Sequence, residues 1–167
     1  MLVICDSTPL IHLARIGKLH YIKDLFDKII IPKEVYEEVI KNGKELNKGE
    51  IYIIEEFIDN FIIIKEANLK INQFNLDLGE LKALSLCQEL KIKNILIDEK
   101  EGYNSALILG LKPLRTSALM LRLLNKKIIN LKEYSESLFS LSQSGYFISA
   151  EIYKELIERG KIIASKN

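Results

Sequence analysis

Short apolar runs alternate with amphipathic segments along most of this chain. Runs of aliphatic residues predict buried strands, and apolar residues at helical spacing predict helices between them. Short buried strands alternating with helices are typical of a parallel sheet covered by helices on both faces, so we expect an α/β fold. The predicted strands are 2–5, 28–31, 61–65, 94–97 and 111–114, and the clearest predicted helices begin near residues 8, 32, 77, 103, 117, 131 and 149.

The overall composition excludes several classes of protein. A chain of 167 residues, 48% hydrophobic and 28% charged, is typical of one globular domain, here 1–167 with a helical C-terminal part at about 117–167. The net charge of +1 gives no global attraction to nucleic acid. Cys5 and Cys87 lack CxxC spacing, which favours buried free thiols in a reducing compartment. Without a signal peptide or an apolar run long enough to span a membrane, the protein is expected to be cytoplasmic.

Two aspartates directly follow predicted buried strands, Asp6 after the first and Asp98 after the fourth. A charge at the end of a buried strand is costly, so it either caps the next helix or holds a cation. Ser7 or Thr8 can cap the first helix, with Pro9 in its first turn, and this leaves Asp6 available for a ligand. The carboxyl ends of parallel strands are where ligands gather in α/β sheets.

Carboxylates on two predicted helices extend this acidic set. On the helix after the second strand, the helical wheel points Glu34 into solvent and leaves Glu37 and Glu38 as equal candidates for the rim of a cleft. Glu80 begins the buried face of another helix. The spacing from Asp77 to Glu80 also matches a capping box, which is a purely structural alternative.

Converging carboxylates repel one another, and a divalent cation would relieve that repulsion. Hard oxygen ligands without a paired Cys or His favour Mg²⁺ or Mn²⁺ over zinc. Such a site suits phosphodiester hydrolysis with an activated water, and no side-chain nucleophile is evident. Phosphate-binding loops of the GxxxxGK[ST] and GxGxxG types are absent from the sequence.

Five segments in this order resemble PIN-domain nucleases, and most closely the toxin-like, VapC-like branch in prokaryotes. The resemblance covers nearly the whole chain and implies a three-layer α/β/α sandwich with a small, mostly parallel central sheet. It also implies a metal-dependent ribonuclease, in many relatives a homodimeric toxin neutralised by a small antitoxin protein. The segments are VICDSTPLIHLARIG, IIIPKEVYEEVI, LDLGELKALSLCQEL, ILIDEKEGYNSALILGLKPL and GYFISAEIYKELIERG.

The resemblance also assigns roles to individual residues. It implies four acidic metal ligands and selects Glu38 over Glu37, which the wheel left open. It implies supporting hydroxyls at Ser7 or Thr8 and at Thr116. Departures occur at Leu96, where Ser or Thr is common, at 101–104, where a basic residue is common, and at Arg115, where Gly is frequent. The implied ligands, which are also the candidate catalytic residues, are Asp6, Glu38, Glu80 and Asp98.

Basic and aromatic residues offer weaker candidates for RNA contacts. Arg15 and Arg115 are the candidate substrate-binding residues within a possible basic rim that also includes Lys18, Arg122, Lys126 and Lys127. Among the tyrosines, packing is the favoured role for Tyr103, Tyr134 and Tyr146. The sequence therefore predicts an Mg²⁺- or Mn²⁺-dependent endoribonuclease. The alternative is a catalytically inert PIN-like domain that binds RNA or a protein partner.

Overall fold

Five parallel strands form the central sheet of the computed structural model, which describes residues 1–45, 48–68 and 71–166. The strand order is β3-β2-β1-β4-β5, so the chain moves outward in one direction through β3 and then returns to the other side of β1 for β4. Helices cover both faces, and the predicted three-layer α/β/α sandwich is confirmed. The strands are β1 (Leu2–Cys5), β2 (Lys28–Pro32), β3 (Ile62–Lys65), β4 (Asn94–Leu96) and β5 (Lys112–Leu114).

Helices connect the strands and form the C-terminal part of the chain. They are α1 (Ser7–Arg15), α2 (Lys33–Tyr36), α3 (Gly43–Glu45), α4 (Glu50–Glu55), α5 (Leu78–Glu89), α6 (Lys100–Ile108), α7 (Thr116–Asn125), α8 (Leu131–Gln143) and α9 (Ala150–Ser165). A 3₁₀ segment, Leu19–Asp24, lies between α1 and β2. Within the described residues, no helix is long and apolar enough to cross a membrane.

Alternation along the strands divides the core between the two faces of the sheet. Successive strand residues point to opposite faces, so neighbouring residues of a strand belong to different hydrophobic clusters. One cluster packs under α1, α7 and α8, and the other packs under α5 and α6. Val3, Cys5, Ile29 and Ile31 belong to the first cluster, and Ile4, Ile30, Ile95 and Ile97 to the second.

The helical segment after β2 departs from the expected α-helical geometry. It begins as α2, continues as a π-helical stretch at Glu37–Asn42 and returns to α-helix in α3. The π-helix adds residues to each turn, so a wheel drawn at 3.6 residues per turn misplaces the side chains beyond Tyr36. Such stretches are frequent at functional sites. This stretch contains Glu37 and Glu38.

Candidate functional site

The carboxyl edge of the sheet brings Asp6 and Asp98 onto neighbouring strands. Cys5 pairs with Leu96 across β1 and β4, and the Asp6 N–H donates to the Leu96 carbonyl at 3.0 Å. Strand order reverses between β1 and β4, and open α/β sheets bind ligands at such a switch point. Both aspartates therefore leave the sheet where the fold provides a crevice.

Asp6 is buried with an unsatisfied carboxylate oxygen. It is only 2% exposed, and no protein donor reaches its Oδ1. Burial raises the pKa of Asp6 to about 8. The Ser7 N–H opposes this rise, and the negative charges of Glu80, Asp77 and Glu38 add to it. The predicted cap by Ser7 or Thr8 is wrong. Helix α1 begins at Ser7, and Asp6, with extended backbone, occupies the N-cap position without a side-chain capping bond.

Glu80 combines the two roles that its sequence position left open. The predicted capping box is present: the Glu80 N–H donates to Asp77 Oδ1 at 2.8 Å, and the Asp77 N–H donates to Glu80 Oε2 at 3.4 Å. The other oxygen, Oε1, is buried without a donor. Burial, with the nearby Asp77 carboxylate, raises the pKa of Glu80 to about 7. One oxygen caps the helix, and the other remains available.

A glycine on α6 makes room for the Glu80 carboxylate. A Cβ atom at Gly102 would overlap Glu80 Oε1 and lie 2.5 Å from Ile97 Cδ1. Any side chain at position 102 would therefore displace Glu80. The buried carboxylate depends on a small residue of a neighbouring helix.

Asp98 is instead held by donors on both carboxylate oxygens. The Thr116 N–H donates to Oδ1 and the Thr116 hydroxyl to Oδ2, each at 2.7 Å. The Tyr146 hydroxyl donates to Oδ1 at 3.1 Å and is itself 3.3 Å from Ser117 Oγ. Burial raises the pKa of Asp98, and the bonds from Thr116 and Tyr146 and the Arg115 charge oppose that rise. The carboxylate lies at the N-terminus of α7, where the helix dipole favours an anion.

The three glutamates after β2 have different surroundings. Glu37 pairs with Lys41 on its own helix at 2.8 Å. Glu38 reaches α5, where its Oε2 lies 3.4 Å from the Cβ position of Gly79. Partial desolvation raises the pKa of Glu38, and the facing Ser7 hydroxyl lowers it. The prediction that Glu34 points into solvent is wrong. Glu34 pairs with Lys82 of α5 at 3.4 Å and has a buried, unsatisfied Oε2, because α5 packs against the side that the wheel left open.

Comparison with known proteins decides the family. A family model described as a PIN domain, DUF3368, matches residues 2–161. This chain belongs to the PIN-domain family. No curated protein matches it. Among solved structures, it is similar to a PilT N-terminus domain protein from the hyperthermophilic archaeon Sulfolobus solfataricus P2, with 18% sequence identity and a TM-score of 0.48, covering 71% of this chain and 90% of that chain.

The buried carboxylate oxygens of this PIN domain fit a divalent cation in their chemistry. Asp6 Oδ1 and Glu80 Oε1 are hard oxygen donors that lack any other partner, which fits Mg²⁺ or Mn²⁺. Across residues 1–45, 48–68 and 71–166, however, no three acidic, histidine or cysteine side chains form an assembled metal-binding group. Of the three buried, unsatisfied carboxylate oxygens in the described residues, two belong to the candidate ligands Asp6 and Glu80, and the third is Glu34 Oε2 on α2.

The candidate RNA contacts of this PIN domain are divided between two environments. Arg15 pairs with Glu50 at 2.5 Å and donates to the Ser144 carbonyl, so its charge is already engaged. Lys18 likewise pairs with Glu133. Arg115 lies beside Asp98, with its guanidinium 4.9 Å from the Tyr103 ring centroid.

Sequence reasoning missed the role of Tyr146. Packing was its expected role, and the ring is buried, but its hydroxyl reaches Asp98 from the loop between α8 and α9. The two residues lie 48 positions apart. The only local signal is a tyrosine directly after Gly145, whose φ of +88° permits the sharp turn that brings the ring inward.

Proposed function

We propose that this chain is a ribonuclease that cleaves RNA phosphodiester bonds with Mg²⁺ or Mn²⁺. The single observation that carries the proposal is the pair of buried, unpartnered oxygens, Asp6 Oδ1 and Glu80 Oε1, in a member of the PIN-domain family. Unsatisfied buried carboxylate oxygens are costly and rare, and a bound cation would satisfy both. Burial is also the main cause of the raised pKa values of Asp6 and Glu80.

Asp6 and Glu80 would provide the inner ligands, and Glu38 and Asp98 would complete the set. Glu38 is favoured over Glu37 because it faces Ser7 and α5, whereas Glu37 pairs with Lys41. When bound, the divalent ion would neutralise phosphate charge and acidify a water molecule.

The protein's own groups would position these ligands. Thr116 would orient Asp98 through its N–H and hydroxyl, and the Ser7 hydroxyl would orient Glu38. Thr8 lies beside Asp98 on the wall of the neighbouring cleft and would support that side. The roles of Ser7, Thr8 and Thr116 rest on these contacts and on the family resemblance.

The test combines Mn²⁺ binding by calorimetry with cleavage of single-stranded RNA. The wild type, Asp6→Asn and Asp98→Asn are compared with Asp24→Asn, a matched change at an exposed aspartate away from the site. We expect binding and cleavage in the wild type and the control, and loss of cleavage in both site variants. Metal-dependent cleavage that persists in Asp6→Asn and Asp98→Asn would refute the assignment.

A second candidate function is a PIN domain that binds RNA or a protein without cutting it. It is favoured by the incomplete assembly of ligands in the described residues and by the occupied oxygens of Asp98. It predicts no Mn²⁺ binding even at millimolar concentration, together with retained RNA binding. Mn²⁺ binding that Asp6→Asn abolishes would exclude it.

The family resemblance supports two further proposals about partners. A small antitoxin protein would bind the chain, and two copies would form a homodimer. Expression of the chain alone should then arrest growth, and the purified protein should have twice the monomer mass in solution. Growth unaffected by an active enzyme would argue against the toxin role without touching the nuclease assignment.

A further inference from the structure

Two openings of opposite character flank the candidate carboxylates. One is a groove of about 530 Å³ whose lining includes Glu34, Glu37, Glu38 and Asp77 and no Lys or Arg among the described residues. The other is a cleft of about 300 Å³ on the far side of Asp98, which we call the Phe147 cleft. Its lining combines two acids, Asp98 and Glu99, with two cations, Lys100 and Arg115, and also includes Thr8, His12, Gly145, Tyr146 and Phe147.

Electrostatics favours the Phe147 cleft as the path of a polyanion. A phosphate backbone entering the acidic groove would meet four carboxylates and no cation in the described lining, although Glu34 and Glu37 pair with Lys82 and Lys41 nearby. In the Phe147 cleft, Lys100 and Arg115 stand beside the acids, and neither forms a salt bridge within the described part of the chain. Their charges therefore remain available to phosphate oxygens.

An exposed aromatic ring lies at the same cleft. Phe147 is 89% exposed, although burying a phenylalanine side chain is worth roughly 1.5–3 kcal/mol. An exposed ring next to unpaired cations is the combination that binds unpaired bases, because every base offers a flat face for stacking. The Arg115 guanidinium lies over the Tyr103 ring and adds a second flat surface, which is cationic.

The loop that carries Phe147 is anchored at two residues that precede it, Ser144 and Tyr146. Ser144 is held by the Arg15 guanidinium, which donates to its carbonyl at 2.8 Å, and by His12 Nδ1, 3.2 Å from its hydroxyl. Tyr146 is hydrogen-bonded to Asp98. Phe147 is thus attached directly to a residue that contacts the candidate active site, and the position of its backbone is linked to that site.

We propose that the Phe147 cleft binds an unpaired nucleotide of a single-stranded RNA beside Asp98, with its base stacked on Phe147 and its phosphates contacted by Lys100 and Arg115. This inference rests on the proposed nuclease function, which supplies the RNA and the adjacent acids. It adds the side from which the RNA approaches the candidate carboxylates and the requirement that the bound nucleotide be unpaired.

The experiment measures binding of the full chain to a short fluorescent single-stranded RNA in EDTA, where metal-dependent cleavage cannot occur. Phe147→Ala is compared with Phe139→Ala, which removes another exposed phenylalanine that does not line the cleft. We expect Phe147→Ala to weaken binding by roughly fivefold or more, the range for loss of one stacked base. Phe139→Ala should bind as the wild type does, and Phe147→Trp should restore affinity.

Salt dependence separates the stacking contact from the phosphate contact. Lys100→Ala should lower the slope of log Kd against log salt concentration by about 0.7, as for one lost phosphate contact on a single strand. Lys154→Ala, at an exposed lysine on α9, should leave the slope unchanged. Phe147→Ala should change the affinity but not the slope, and it should have no effect on binding of a duplex of the same sequence.

The outcomes also distinguish this inference from the proposed function. Equal affinities of the wild type and Phe147→Ala, with cleavage intact, would overturn the Phe147 cleft and leave the nuclease assignment standing. A wild type that neither binds nor cuts RNA would overturn both. Weakened binding by Phe147→Ala in a protein that shows no Mn²⁺-dependent cleavage would support the cleft and contradict the nuclease.

Discussion

Asp6 and Asp98 follow neighbouring strands at the same edge of the sheet, yet their carboxylates differ in their hydrogen-bond partners. Asp98 has a donor on each oxygen, from Thr116 and Tyr146, and lies at a helix N-terminus. Asp6 is almost completely buried and leaves Oδ1 without a donor. The donors to Asp98 oppose the rise in its pKa that burial causes, so the fold itself offsets part of the cost of its charge. Within the described residues only a proton or a cation can satisfy Asp6 Oδ1, and this difference makes Asp6 the better ligand candidate.

The largest expected consequence is an unusual pH dependence of stability in the metal-free protein. The pKa of Asp6, about 8 when folded, lies above its unfolded value of about 4, so the folded state binds the proton more tightly. The contribution of Asp6 is thus fully present below pH 4 and is lost as the pH rises through about 8. At about 1.4 kcal/mol per pH unit, the total should reach a few kcal/mol. Urea unfolding in EDTA at several pH values measures it.

Asp6→Asn is the control for that slope. The difference in free energy of unfolding between wild type and variant should change steadily between pH 4 and pH 8, and the variant should become relatively more stable at high pH. A difference that stays constant with pH would mean that Asp6 is charged in the folded protein. The contrast with Asp98 would then disappear.

Asp98→Asn should lose more stability than Asp6→Asn at neutral pH, although burial raises the pKa of both aspartates. Removing the charge weakens three hydrogen bonds to it, and bonds to charged groups contribute about 1.5–3 kcal/mol each at most, so we expect a loss of roughly 2 kcal/mol. Asp6→Asn should cost much less at pH 7, where Asp6 is largely protonated. Thermal unfolding of both variants in EDTA checks this. Equal losses would erase the distinction between the two aspartates.

Thr116→Val should sharpen the role of the donors around Asp98. It removes the hydroxyl that donates to Oδ2 and keeps the shape of the side chain, which should cost about 1–2 kcal/mol. Thr116→Ser keeps the donor and should retain most of the stability. Unfolding in urea compares the two, and a valine variant as stable as the serine variant would show that the hydroxyl does not hold Asp98.

The smallest effect concerns the two adjacent glutamates. Glu38 contributes to the raised pKa of Asp6, whereas Glu37 is absent from the charges acting on it. Glu38→Gln should therefore lower the pKa of Asp6 slightly, and Glu37→Gln should leave it unchanged. Carboxyl NMR titration of the metal-free protein measures the pKa of Asp6 in each variant directly. An equal shift in both variants would put Glu37 as close to Asp6 as Glu38.

The strand-end acids could be predicted because the signal is local. A run of apolar residues that stops at an aspartate places that residue at the carboxyl edge, whatever the rest of the fold does. The Glu80 capping box was equally local. Its two oxygens have different partners, and this is why the structural and the functional interpretations of the spacing are compatible.

The rest of the site depended on contacts that no local pattern contains. Glu34 was misplaced because its environment is set by Lys82, on a helix that follows later in the chain. The hydroxyl of Tyr146 finds its partner across the fold, and the π-helical stretch changes the geometry on which the wheel relied. Pairing of Arg15 with Glu50 is equally non-local and reduces its value as an RNA contact.

The Glu80 carboxylate occupies the space next to Gly102 that a side chain at position 102 would fill. A glutamate at position 80 fills the space that a side chain at 102 would need, so neither residue can be exchanged without regard to the other. Shortening Glu80 to aspartate would withdraw the carboxylate, so an alanine on α6 would then have to displace only the flexible end of Ile97. The double change should then be tolerated where Gly102→Ala alone is not. In a set of related chains, such a pair would vary together, so the size of residue 102 would report the length of the acid at position 80.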